Sequence, residues 1–116
     1  MGTQPPRMSY LVLFCQDLPA SVRFYHDRLG LARVTDSPSF VQLDAGGARI
    51  GLHAADAARR TTGCNLHFDV PDVRRARADY AARGIAFGDV VRESWGASVA
   101  RAVDPDGNTV ELVQWE

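Results

Sequence analysis

The chain has no lysine: all 13 basic residues among its 116 are arginine. A lysine Schiff base, a catalytic lysine amine and a phosphate-loop lysine are therefore excluded. An excess of one charge is missing too. The 13 arginines stand against 14 Asp and Glu, a formal net charge of −1, which gives no overall attraction to nucleic acid or to an anionic membrane surface. No apolar run approaches the ~20 residues that cross a bilayer. Gln4, Pro5 and Pro6 stand where the apolar stretch of a signal peptide would be, so the expected compartment is the cytoplasm. Cysteine is scarce. Cys15 and Cys64 each lie in an apolar segment and are expected to be reduced, buried thiols without a disulfide.

What is present has the composition of one globular domain. Residues 1–7 read as a flexible leader and 8–116 as a single domain. Ser9 to Cys15 is a continuous apolar run, the pattern of a buried strand. Asp17 and Pro19 then open a helix, Leu18, Val22, Tyr25 and Leu29 repeat at helical spacing, and Gly30 stops it,. Three extended segments follow, near 31–36, 40–44 and 48–53. The order then recurs: a strand at Asn65–Val70, a helix opened by Asp72 and ended by Gly84, and strands near 86–91, 97–103 and 109–115. The offsets from Asp17 to Asp72 and from Gly30 to Gly84 are 55 and 54 residues, the mark of an internal duplication. Module one spans about 8–53, a linker 54–63, and module two about 64–116.

Two such βαβββ modules give an α+β fold, an eight-stranded, mainly antiparallel curved sheet with its helices on the outer face. The other face is left open as a cup, and the period of two along each strand says what lines it. Tyr10, Val12 and Phe14 share a face, as do Asn65, His67 and Asp69, and as do Thr109, Glu111, Val113 and Trp115. Trp95 lies in a turn, where it either stacks on a ligand at the cup mouth or covers a sheet edge or joins a subunit contact. His26 and the Arg74, Arg75 and Arg77 cluster read as solvated helix faces. Asp104 to Asn108 reads as a tight hairpin turn with Gly107 at positive φ.

The run from Asp17 to Gly30, Asp-Leu-Pro-Ala-Ser-Val-Arg-Phe-Tyr-His-Asp-Arg-Leu-Gly, resembles the first helix of the vicinal oxygen chelate superfamily, which contains glyoxalase I, extradiol dioxygenases and the fosfomycin- and bleomycin-resistance proteins. Asp104-Pro-Asp-Gly-Asn-Thr-Val-Glu-Leu112 resembles its final hairpin, and the likeness runs from Met8 to Trp115. The resemblance implies a homodimer and, in catalytic members, a divalent metal held in the cup. It places the metal positions here at Tyr10, Gly51, Asn65 and Glu111, and only Glu111 keeps a usual ligand,.

The leading expectation is a non-catalytic protein of the bleomycin-resistance type. It has no metal and no cofactor, and it sequesters an antibiotic or a planar aromatic metabolite. Ligand contacts are expected from Tyr10, Val12 and Phe14, from His53, from Asn65, His67 and Asp69, and from Trp95, Glu111, Val113 and Trp115. The alternative is an enzyme. One version gathers His53, His67 and Glu111 around a divalent metal. The other uses Glu111, its pKa raised in an apolar cup, as a general base with His67. A third class is a structural module whose cup a partner subunit fills. Neither nucleic acid nor membrane is an expected partner.

Overall fold

The computed structural model describes residues 2–116; Met1, at the head of the expected leader, lies outside the described residues. Strand β1 (Tyr10–Cys15) leads into helix α1 (Leu18–Val22), which continues as a π-helical turn over Arg23–Arg28, and then into β2 (Ala32–Ser37), β3 (Phe40–Asp44) and β4 (Arg49–Ala54). The second half repeats the order: β5 (Asn65–Asp69), α2 (Val73–Ala82), β6 (Val91–Glu93), β7 (Ala97–Val103) and β8 (Thr109–Trp115). The chain is α+β with eight strands, seven of them close to where the sequence puts them and the sixth displaced to Val91–Glu93.

The strands hydrogen-bond as two four-stranded sheets, β1-β4-β3-β2 and β5-β8-β7-β6, instead of one sheet of eight. Each sheet has one parallel pair, β1 with β4 and β5 with β8, and two antiparallel pairs. One reason that β1 and β5 do not join is the connection between them. Thr61 takes the outer edge of β1, its amide donating to the Phe14 carbonyl at 2.8 Å and its hydroxyl accepting from the Phe14 amide at 2.9 Å.

Both helices start as the sequence demands. Asp17 accepts from the Ala20 amide and Asp72 from the Arg75 amide, each at 3.1 Å, capping donors that have no partner within the helix,. Both end on a glycine at positive φ, Gly30 at +91° and Gly84 at +92°. These ends are cross-covered. Arg83 lies against Gly30 and Arg28 against Gly84, so each module places a cation at the carboxyl end of the other's helix,. The first helix is not α throughout: the Leu29 amide bonds the Phe24 carbonyl, five residues back, at 2.9 Å. Apolar spacing over so short a stretch does not separate the two periods.

The strand expected near 86–91 is irregular up to Val91. Arg77 takes the carbonyls of Phe87 and Gly88 at 3.1 and 2.7 Å, and the Gly88 amide goes to the Arg101 carbonyl at 2.8 Å. The backbone groups that a ladder would use are thus engaged elsewhere, and Arg77 is a structural tie, not part of a solvated face. His26 is likewise half-buried, with Nδ1 donating to the Leu31 carbonyl at 2.8 Å. Of the two free cysteines Cys15 is buried and Cys64 only half-buried. Burial pushes the Cys15 thiol up to about 11.

One core joins the modules. Leu13, Leu43 and Leu52 from the first sheet and Leu66, Val110 and Leu112 from the second pack with Phe24, Tyr25 and Val73 from the helices. At roughly 1.5–3 kcal/mol for each large apolar side chain fully removed from water, this burial drives the fold. The hairpin at Asp104–Asn108 locks it. The Asp104 carboxylate accepts from the amides of Asp106 and Asn108, from Asn108 Nδ2 and, at 2.6 Å, from the Tyr25 hydroxyl. Asn108 in turn bonds Cys64 and Thr61, and Asp106 accepts from the Gln16 amide. Burial, and then the bond to Asp104 and its charge, raise the Tyr25 pKa far above that of a free phenol. Gly107 sits at φ +87°, as the turn requires. The hairpin is therefore the clamp that fixes the π-helical turn, the end of β1 and the inter-module connection to the second sheet.

Candidate functional site

The helices cover one face of each sheet; the residues that alternate with the core line the other. On the second sheet, strand register builds a cluster around Glu111. Glu111 on β8 is directly opposite His67 on β5 and directly opposite Arg101 on β7. Its side chain is only 3% exposed, and a buried carboxylate needs partners for both oxygens,. Oε1 lies 2.9 Å from His67 Nε2, Oε2 accepts from Arg101 Nε at 2.9 Å, and Arg101 Nη2 reaches Glu93 at 3.0 Å. Partial burial works against the Arg101 charge, but the bond to Glu93 and the charge and bond of Glu111 outweigh it and raise its pKa. Glu111 thus stands between two cationic or donor groups and not in an apolar cup.

Beside this cluster is an indole wall. The His67 ring stacks on Trp95, with centroids 6.1 Å apart and planes 25° apart, and Trp95 meets Trp115 edge-on at 5.3 Å. Trp115 Nε1 donates to Asp69 at 2.8 Å, which fixes that indole. Trp95 and Trp115 remain 44% and 54% exposed. On the same face Val113 is sealed with Ala97 and Val99 into a small apolar cluster. Trp95 therefore packs on His67 and Trp115 and leaves part of its ring exposed.

The first sheet carries a second cluster. His53 stacks on Phe40 at 5.3 Å and meets Phe14 edge-on at 6.2 Å, and its Nε2 is 3.4 Å from the Tyr10 hydroxyl. The Arg59 guanidinium sits 4.4 Å over the Phe14 ring. Val12, between Tyr10 and Phe14 on the same face, is half-buried. Tyr10 also lies across Gly51: a Cβ built there would be 2.0 Å from the phenol oxygen. Between the sheets runs a groove of about 490 Å³, bordered by Leu11 and Ile50 on one side and by Asn65, His67 and Asp69 on the other. Among the described residues no helix is long and apolar enough to cross a membrane.

The sequence model described as the Glyoxalase/Bleomycin resistance protein/Dioxygenase superfamily matches residues 7–112. The chain belongs to that superfamily. Among curated proteins it is similar to Virulence protein STM3117 of Salmonella typhimurium (strain LT2), 29% identical over an alignment that covers 94% of this chain and 84% of that one. Among solved structures it is similar to a glyoxalase/bleomycin resistance protein/dioxygenase from Nocardioides, at 25% identity and a TM-score of 0.81 over 98% of this chain and 86% of that one. TnmS3, an antibiotic binding protein from Streptomyces sp. CB03234, has a TM-score of 0.81 at 21% identity, covering 99% of this chain and all (100%) of that one; this likeness shows the fold alone.

The metal positions that the superfamily implies do not fit a cation here. Gly51 offers no donor and its side-chain space is filled by Tyr10. Asn65 is exposed at the groove, and both oxygens of Glu111 are engaged. The relocated set of His53, His67 and Glu111 is not assembled either, because His53 packs among Tyr10, Phe14 and Phe40 whereas His67 faces Glu111. Among the described residues no group of three or more His, Cys, Asp and Glu side chains is placed to hold a metal ion.

The eleven residues expected around one cup are thus divided. His67, Asp69, Trp95, Glu111 and Trp115 form one cluster, with Val113 sealed on the same face; Tyr10, Phe14 and His53 form another beside Val12; Asn65 borders the groove. Sequence reasoning missed four partners, Arg101, Glu93, Phe40 and Arg59. The first three are brought in by register, which parity within one strand does not supply: Arg101 is opposite Glu111, Glu93 opposite Ala97 and Phe40 opposite His53. Arg59 lies in the connection, where no period applies.

Proposed function

We propose that this protein captures and sequesters a planar aromatic small molecule, an antibiotic or an aromatic metabolite, on the indole wall of its second sheet. The observation that carries this reading is the pair of half-exposed indoles, held by Asp69 and His67 on one face of the second sheet. A fixed flat surface binds a flat ligand with little ordering cost, and aromatic stacking adds about 0.5–1.5 kcal/mol beyond area burial. The polar groups alongside, Asp69 and the Glu93–Arg101–Glu111 chain, supply orientation,. TnmS3, which shares the fold, is an antibiotic binding protein.

The protein's two tryptophans are both in this wall, so intrinsic fluorescence reports on it directly. Titration with a panel of planar polycyclic compounds is expected to quench the emission saturably. Trp95→Ala is expected to weaken binding by about 30- to 150-fold, the effect of removing a 2–3 kcal/mol aromatic anchor. A flat response across the panel, or an affinity unchanged in Trp95→Ala, would count against the reading.

A further inference from the structure

We infer that the captured molecule meets a general base, the Nδ1 atom of His67, and that the protein transfers a proton from carbon acids held flat against Trp95. The argument starts from hydrogen-bond capacity. Glu111, paired to Arg101, is an acceptor, so the His67 Nε2 that faces it at 2.9 Å carries the ring proton,. The neutral imidazole then has its lone pair on Nδ1, and among the described residues Nδ1 has no hydrogen-bond partner. The ring is also held in place. Glu111 fixes one edge, Trp95 lies along its face, and the side chain is still 47% exposed. A proton acceptor held with its other nitrogen 2.9 Å from a buried carboxylate, next to a stacking platform, has the parts that general-base catalysis requires,.

The other two histidines lack this arrangement. His26 spends Nδ1 on the Leu31 carbonyl, and His53 is enclosed by Phe40 and Phe14 with Nε2 against Tyr10. In this scheme His67 is the catalytic residue and Glu111 and Arg101 are positioning residues. The charged groups around His67 are Glu111 on β8 and Arg101 on β7, with Glu93 reached through Arg101 and Asp69 further along β5. The substrate class is planar aromatic compounds with an acidic C–H at the ring edge. The inference rests on the capture reading for where the substrate lies and adds proton transfer to it.

A probe of that class is 5-nitrobenzisoxazole. Nδ1 takes the C3 proton, the C–H electron pair completes the nitrile, the N–O bond breaks with its electrons left on oxygen, and 2-cyano-4-nitrophenolate is released; His67 returns the proton to water. The expected result is saturable turnover by the wild-type protein and at least a tenfold fall in kcat/KM in His67→Ala. Added imidazole is expected to restore part of the rate to His67→Ala and none to wild type, which loss of a merely structural contact would not show. Glu111→Gln is expected to lower kcat. Equal rates for wild type and His67→Ala would overturn the inference. If the compound quenches tryptophan emission saturably while the rates stay equal, proton transfer falls and capture stands.

Discussion

Gly51 and Tyr10 should behave as a single steric unit, and a two-residue cycle measures it. Gly51 is buried, and its φ lies outside the positive range, so alanine suits the backbone. By itself the change would even help, since removing glycine from a strand is worth about 0.5–1 kcal/mol. The obstacle is Tyr10. A Cβ at 51 would lie 2.0 Å from its phenol oxygen and 2.5 and 2.7 Å from two ring carbons. These are approaches that no small adjustment relieves, so the ring must swing off the sheet. Re-exposing about 100 Å² of its surface at about 25 cal/mol per Å² costs about 2.5 kcal/mol. Net of the glycine gain, Gly51→Ala is expected to destabilise by about 1.5–2 kcal/mol. In a Tyr10→Ala background the same change should stabilise by about 0.5 kcal/mol. Urea unfolding followed by circular dichroism at neutral pH reads both legs. Additivity of the two substitutions within about 0.5 kcal/mol would refute the claim that the phenol occupies the place of a side chain at 51.

Other outcomes follow from the clamp and the thiols. Tyr25→Phe removes one bond to the buried Asp104 carboxylate and should cost about 1.5–3 kcal/mol in urea unfolding. Combined with Asp104→Ala, the loss should fall short of the sum by a similar amount, because the hydroxyl has already lost its partner. In native protein a thiol reagent at pH 8 should titrate Cys64 and spare Cys15, whose pKa is pushed up to about 11 by burial,. The pH dependence has a fixed sign. From pH 9 towards 11 the unfolded chain loses the Cys15 proton while the folded chain retains it, so stability falls as pH rises, by at most about 2–3 kcal/mol,. Stability measured from pH 8 to 11 should show a shallower fall in Cys15→Ala. The raised Tyr25 pKa acts in the same direction at still higher pH.

The sequence by itself determined the local elements and their repetition. Asp17 and Asp72 cap helices, Gly30 and Gly84 end them, and Gly107 turns the last hairpin, because capping and positive φ are requirements of a few adjacent residues,. The period of two likewise assigned Tyr10, Val12 and Phe14, His67 and Asp69, and Glu111, Val113 and Trp115 to faces away from the core. What it did not contain was which residue on one strand lies opposite which on the next. Register placed Arg101 and His67 on either side of Glu111 and so replaced an expected apolar base with a buried ion-paired carboxylate. The separation of the two aromatic clusters, the Thr61 tie along β1 and the arrival of Arg59 over Phe14 are contacts between segments distant along the chain. Their geometry exists only once the core under the helices has closed, and so only the tertiary structure decided it.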